Sequence, residues 1–206
     1  MKIVCIGRNY AEHAKELGNA TPSEPVFFLK PSTACTYPGH PILLPPIEGE
    51  IAYELELVVM IDGYAKDVPV SMALGMVSSF TLGLDLTART LQNELKAKGL
   101  PWEKAKAWDG SAVIGDVELP MTSTTDLQAL AIELKKNGGT VQKDTTANML
   151  FNVQTLISYV SRYITLEPGD LLFTGTPAGV GPIAEGDVLE GFINGKRLLH
   201  ATVGKR

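Results

Sequence analysis

An α+β fold dominated by β-structure is what this sequence predicts, and three observations carry that expectation. Short apolar runs alternate with period two, most clearly across Ala52 to Ile61 and Phe80 to Thr87. Turn signals such as Asn137-Gly138 and Asn194-Gly195 punctuate them, among 20 glycines and 13 prolines. Helical windows are few and short, and no regular strand–helix–strand alternation runs through the chain. A length of 206 residues favours one domain spanning 1–206, since domains average ~150 residues.

Ile3 to Ile6 reads as a first strand. Asn9 with Glu12 three residues on has the spacing of a capping box, so a helix is expected from Tyr10 to Leu17, ended by Gly18-Asn19. Val26 to Lys30 is a strand. Pro31 to Glu50 carries prolines at 31, 38, 41, 45 and 46 and reads as an ordered loop with an edge strand at Ile42 to Leu44. Strands follow at Ala52 to Ile61 and Phe80 to Thr87, with a helix between them over Ser71 to Ser78. Ala88 to Lys98 is helical and closes at Gly99-Leu100-Pro101. Leu130 to Lys136 and Thr140 to Lys143 flank Asn137-Gly138-Gly139 as a hairpin. Asn152 to Tyr163 is a helix, followed by strands Leu171 to Thr174, Val188 to Ile193 and Leu198 to Val203, the last two joined by a type I′ turn at Asn194-Gly195.

A formal charge of −5 argues against a nucleic-acid binder, which needs a basic footprint, and against an anionic membrane surface. The longest uninterrupted apolar run, Leu57 to Ile61, is far below the ~18 residues of a membrane span. Met1 to Gly7 lacks the pattern of a secretion signal. Cys5 and Cys35 have no metal or redox spacing and read as buried reduced thiols, which points to a cytoplasmic setting.

The chemistry concentrates on two strands. Period two puts Tyr53, Leu55, Leu57, Val59 and Ile61 on one face and Glu54 and Glu56 on the other. Taken alone, that second face reads as the wet outside of an edge strand. The next strand alternates Phe80, Leu82, Leu84 and Leu86 with Thr81, Gly83, Asp85 and Thr87, so Asp85 also leaves a small, polar face, and Gly83 leaves room for close approach. Three carboxylates without His or Cys form a hard-oxygen set suited to Mg²⁺ or Mn²⁺ rather than zinc.

Cations surround this set. Arg89 and Gln92 share a helix face, Lys104 and Lys106 follow Trp102, Lys30 ends one strand and Arg8 another. Each alone reads as a surface charge; together with a divalent cation they make an anion pocket. His13 and Glu16, three residues apart, are either an exposed helix pair or a base oriented by a carboxylate. Thr174 to Gly181 is a Gly-rich loop without the spacing of either nucleotide motif.

Six segments carry a family likeness: Gly7-Arg8-Asn9-Tyr10, Phe28-Leu29-Lys30-Pro31, Glu54-Leu55-Glu56-Leu57, Leu84-Asp85-Leu86-Thr87-Ala88-Arg89, Gly99-Leu100-Pro101-Trp102, and Gly169-Asp170 with Thr174-Gly175-Thr176-Pro177-Ala178-Gly179-Val180-Gly181. In order and over nearly the whole chain they resemble the fumarylacetoacetate hydrolase family, in its small acylpyruvase and oxaloacetate decarboxylase branch. The extra N-terminal domain of fumarylacetoacetase proper has no counterpart. The resemblance implies a β-roll of mixed sheets and a homodimer. It implies metal ligands at Glu54, Glu56 and Asp85 for Mg²⁺ or Mn²⁺, and catalytic roles for Lys106 and for His13 and Glu16 on a lid helix within about residues 8–20. Arg8, Lys30, Arg89, Gln92 and Thr176 would bind a small 2-oxo acid. The implied reaction is hydrolysis of a C–C bond in 2,4-dioxo acids (acylpyruvates) to pyruvate and a carboxylic acid through a metal-stabilised enolate. Oxaloacetate decarboxylation, its keto–enol tautomerisation, and isomerisation or decarboxylation of unsaturated 2-oxo diacids are the alternatives.

Overall fold

A computed structural model of the chain describes residues 1–18 and 20–204. Its strands are β1 (Ile3–Gly7), β2 (Val26–Lys30), β3 (Cys35–Thr36), β4 (Ile42–Leu43), β5 (Ile51–Tyr53), β6 (Leu55–Ile61), β7 (Val77–Asp85), β8 (Thr87–Ala88), β9 (Ala112–Ile114), β10 (Leu119–Pro120), β11 (Ala131–Lys136), β12 (Gly139–Thr145), β13 (Leu171–Phe173), β14 (Gly181–Pro182), β15 (Val188–Ile193) and β16 (Lys196–Gly204). Its helices are α1 (Ala11–Glu16), α2 (Val70–Ala73), α3 (Arg89–Ala97), α4 (Glu103–Lys106) and α5 (Val153–Tyr163). Strand accounts for 38% and helix for 21%, the β-dominated mixture expected, in curled mixed sheets.

The main sheet runs β2-β1-β13-β6-β7-β9-β3, with β10 also pairing β7; a second runs β12-β11-β15-β16-β4 and a third β14-β5-β8. The pairs β1–β13, β3–β9 and β16–β4 are parallel and the remainder antiparallel. Period two sorts the main sheet onto two cores. Val4, Ile6, Leu57, Val59, Leu82, Leu84 and Leu172 face a large core shared with Leu134, Leu189, Leu198 and Leu199 of the second sheet and with Leu156, Ile157 and Val160 of α5. Ile3, Cys5, Val58, Leu171 and Phe173 face a smaller one. Leu55, Leu57, Leu82 and Leu84 are fully buried, each contributing about 1.5–3 kcal/mol relative to exposure.

Both hairpins form as expected: Asn137 and Gly138, and Asn194 and Gly195, all have positive φ, as a two-residue type I′ turn requires. Helix α5 is capped by Asn152, whose side chain accepts from the Thr155 N–H at 2.9 Å.

Four local expectations are revised. The strand expected over 52–61 is two strands interrupted at Glu54, and the one over 80–87 is interrupted at Leu86. β5 pairs with β8 and β6 with β7, so both chains change sheet at one level. The helix expected at Ser71 to Ser78 is a single α-turn and a 3₁₀ turn, because Val77 onward is drawn into pairing with β6. Asn9 does not cap α1; its amide donates to the Phe151 and Thr174 carbonyls and accepts from the Phe151 N–H, tying three distant segments together. Gly18 has the expected positive φ, while Asn19 lies outside the described residues. Strands β9, β10 and β14 and helix α4 are too short to leave a periodic pattern.

Candidate active site

The interruption at Glu54 builds the site. The Asp85 N–H donates to the Glu54 carbonyl at 2.9 Å, and Glu56 stands opposite Gly83 in the β6–β7 pairing. The three side chains therefore leave one face of the sheet at the sheet-to-sheet step, and a carboxylate oxygen of each lies within 4.8 Å of the others. All three are buried. Gly83 makes room for the protein's own core rather than for a ligand: a Cβ there would stand 2.7 Å from the Phe173 ring and 2.8 Å from the Val113 carbonyl.

Cations compensate this charge unevenly. Lys106, buried on the one-turn helix α4, donates to Glu54 Oε2 at 2.7 Å, Asp85 Oδ2 at 2.8 Å and Thr87 Oγ1 at 2.6 Å, which uses all three of its protons. Arg89 pairs with the other Glu54 oxygen and donates to Gln92 Oε1 at 2.9 Å. Burial opposes ionisation of Glu54, but Lys106, Arg89 and His13 outweigh it and hold its carboxyl below the usual range. Burial likewise opposes the charge on Lys106, and Asp85 and Glu54 reverse the balance and hold its ammonium above the usual range. Glu56 differs: it receives the Gly175 N–H at 2.6 Å and, among the described residues, has no cation within 4.0 Å. Burial, with Asp85 and Glu54 adding repulsion, pushes its carboxyl well above the usual range.

Lys30, expected to contact substrate, is buried against Asp85. Its ammonium lies behind Asp85, 2.7 Å from Oδ1, and donates to the Ser111 and Leu86 carbonyls. It does not line the cleft. Asp85 Oδ1 is thus paired with Lys30. The uncompensated Glu56 and the buried, all-oxygen donor set together fit a hard divalent cation. Glu54, Glu56 and Asp85 would hold it.

A narrow cleft opens over this set, lined among others by Arg8, His13, Arg89, Gln92, Lys106 and Thr176. Lys104, also a sequence candidate, is exposed on the far side of α4. His13 Nδ1 is 3.1 Å from Glu16 Oε2, and the other Glu16 oxygen accepts from the Gly179 N–H at 3.0 Å. A carboxylate can only accept, so Nδ1 carries the proton and Nε2 is free as a base. Burial, opposed by Glu54 and Glu16, lowers the His13 pKa and keeps the ring neutral.

Two residues escaped the sequence pattern. Gln142, buried in β12, accepts from the Leu55 N–H at 2.9 Å and donates to Thr176 Oγ1 and the Pro177 carbonyl, both at 2.9 Å. It bridges the strand break to the Gly-rich loop, and a glutamine inside a hairpin strand leaves no local trace of that. Lys96 lines the cleft; its signal was present, since 89, 92 and 96 share one helix face.

A mixed-sheet scaffold that turns carboxylates, an ammonium and an oriented imidazole into one cleft has the make-up of an enzyme active site. This chain belongs to the fumarylacetoacetate hydrolase family: the family model described as Fumarylacetoacetate (FAA) hydrolase C-terminal matches residues 2–203. It is 46% identical over 193 residues to a Homo sapiens protein named as a mitochondrial oxaloacetate tautomerase, covering 94% of this chain and 87% of the relative. Its fold is similar to a fumarylpyruvate hydrolase from Pseudomonas aeruginosa solved with Mn²⁺ and pyruvate, at TM-score 0.94 and 36% identity, covering 100% of this chain and 90% of that one. A 5-carboxymethyl-2-hydroxymuconate delta-isomerase from Mycobacterium smegmatis is similar at TM-score 0.85 and 34% identity, covering 100% and 79%.

Proposed function

We propose that this chain interconverts the keto and enol forms of oxaloacetate, with His13 as the base. The observation that carries it is the neutral, cleft-facing His13, whose orientation Glu16 and the Gly179 N–H fix. Mg²⁺ or Mn²⁺ held by Glu54, Glu56 and Asp85 would supply Lewis-acid polarisation of the substrate's carboxylate and 2-oxo oxygen. His13 Nε2 removes a proton from the carbon between the two carbonyl groups, and the electron pair moves onto the 2-oxo oxygen. Arg89 and Lys106 supply positive charge beside that oxygen as it becomes negative. Return of the proton from Nε2 to oxygen yields the enol and regenerates neutral imidazole. Arg8, Gln92 and Thr176 orient the acid groups, and α1 acts as the cover that brings His13 over them.

Acylpyruvate hydrolysis, the first expectation from sequence, is the second reading, and the His13 geometry favours it too. The same base would deprotonate water; hydroxide adds to the distal carbonyl, the C–C bond breaks, and its electrons pass to the pyruvate fragment, which takes the proton at carbon. The 46% identity to a protein named as a tautomerase, against 36% to one named as a hydrolase, supports placing tautomerisation first. The two free thiols, Cys5 buried and Cys35 half-buried, support a reducing compartment; the cytoplasm remains our reading, as does a homodimer.

The test is the rate of keto–enol equilibration of oxaloacetate, followed by ultraviolet absorbance with Mg²⁺ present, and in parallel acetylpyruvate cleavage. His13→Asn is expected to remove the acceleration by about 10²–10⁴-fold. Acceleration that survives His13→Asn sinks the assignment. Cleavage of acetylpyruvate without equilibration of oxaloacetate reverses the order of the two readings.

A further inference from the structure

We propose that Lys106 competes with the divalent cation for Glu54 and Asp85, and that Thr87 is the acceptor that keeps its ammonium when the cation takes them. Thr87 is thereby a positioning residue, and metal affinity is tuned by a cation built into the chain. The proposal rests on the reading of Glu54, Glu56 and Asp85 as metal ligands and adds how their loading is controlled.

The contacts of Lys106 carry it. Its ammonium donates to Glu54 Oε2 at 2.7 Å and to Asp85 Oδ2 at 2.8 Å, so it occupies two of the three carboxylates of the oxygen set. Neither carboxylate depends on Lys106 alone for a counter-charge. Arg89 pairs with the other Glu54 oxygen, and the Lys30 ammonium stands 2.7 Å from Asp85 Oδ1. Three carboxylates are thus already matched by three cations, and a double positive charge arriving beside a buried ammonium is repelled. Lys106 and the metal draw on the same two groups.

The third proton of Lys106 goes to a neutral oxygen. Thr87 Oγ1 accepts it at 2.6 Å and gives its own proton to the Asp85 carbonyl at 3.2 Å. Thr87 is fully buried in β8, which pairs with β5. Ser111 Oγ donates to the Lys106 carbonyl at 2.8 Å, and the Phe28 ring lies 5.2 Å from the ammonium. A buried ammonium without an acceptor is costly, and Thr87 is the one acceptor of the three that is not a metal ligand. In the present arrangement every proton of Lys106 is engaged. Lys106 lines the cleft, so loading with metal is what frees it to meet a bound anion.

The experiment is calorimetric titration of the protein with Mg²⁺ alone. Lys106→Met should bind Mg²⁺ at least about tenfold tighter than wild type. A lysine that only organised the carboxylates would weaken binding on removal, so the sign separates the two roles. Thr87→Val keeps the shape and removes the acceptor, and should weaken Mg²⁺ binding about threefold or more. In the Lys106→Met background, Thr87→Val should leave the affinity unchanged to within about twofold. Weaker or unchanged binding by Lys106→Met overturns the competition, and a Thr87→Val effect of equal size with and without Lys106 overturns the role of Thr87. If Lys106→Met does not fold, Thr87→Val decides alone, and unchanged or tighter binding overturns the proposal. A wild-type chain that binds no Mg²⁺ overturns the metal reading, and the competition with it.

Discussion

Gln142→Leu tests how the strand break is held open. The side chain is 1% exposed and holds three groups from two segments: the Leu55 N–H, the Thr176 hydroxyl and the Pro177 carbonyl. Leucine fills similar volume and satisfies none of them. The Thr176 hydroxyl stands 3.4 Å from the Pro177 carbonyl and can turn to serve it. The Leu55 N–H has no such substitute. An orphaned buried donor costs about 1–3 kcal/mol, and the two weakened bonds bring the expected loss to about 2–4 kcal/mol. For a chain of this size that lowers Tm by roughly 5–15 °C. Leu55 follows Glu54 directly and Thr176 lines the cleft, so a shift of about 1 Å there should also reduce kcat by up to about 100-fold. Urea unfolding and oxaloacetate equilibration on the same preparation check both numbers. A stability loss under 1 kcal/mol with unchanged kcat would refute the view that Gln142 couples the break to the loop.

Three further outcomes follow from the same contacts. Glu56→Gln removes the one buried carboxylate of the set without a cation partner, so the metal-free protein should be no less stable; its Tm should stop rising with Mg²⁺, where the wild type gains about 2.7 kcal/mol at 100 times Kd, and a Mg²⁺-dependent rise equal to wild type would exclude Glu56 as a ligand. Gly83→Ala places a methyl against Phe173, Val113 and Val58 and should cost about 1–3 kcal/mol in urea; a neutral result would show that the sheet relaxes there. Asp170 is buried and accepts from the Lys2 and Glu167 N–H groups and the Lys2 ammonium; burial opposes its charge, yet these partners hold its carboxyl below the usual range. A depressed folded pKa means its stabilisation is complete above the unfolded value near 4 and is lost as pH falls through the folded one. Asp170→Asn should therefore lower the urea midpoint at pH 7 and narrow its deficit at pH 3, and a deficit constant over that range would refute the charge-based account.

The strands and hairpins were legible because their causes are local. Alternation of Leu82 and Leu84 with Thr81 and Gly83, and asparagine–glycine turns at 137–138 and 194–195, act within a few residues of themselves. The three acids were legible as a set for the same reason: period two put Glu54 and Glu56 on one face, and Asp85 faces the same side in the next strand. Asn9 misled because an asparagine ahead of a helix satisfies backbone groups equally well across the fold, here at Phe151 and Thr174.

By itself, then, the sequence determined that β-structure dominates, which faces are apolar, where the type I′ turns lie, and that a hard-oxygen donor set sits on adjoining strands. Tertiary structure alone decided which cation serves which carboxylate. Lys104 and Lys106 are two residues apart on one helical turn, yet only Lys106 is buried, because α4 packs that side against β8 and β2. Lys30 stands behind Asp85 while Lys96, which drew no expectation, lines the cleft. Gln142 joins Leu55 and Thr176 from 87 and 34 residues away. The reason is physical: side-chain periodicity is a property of the backbone's own geometry, whereas a buried charge or amide takes its partners from whatever distant strands the two-sided core brings beside it.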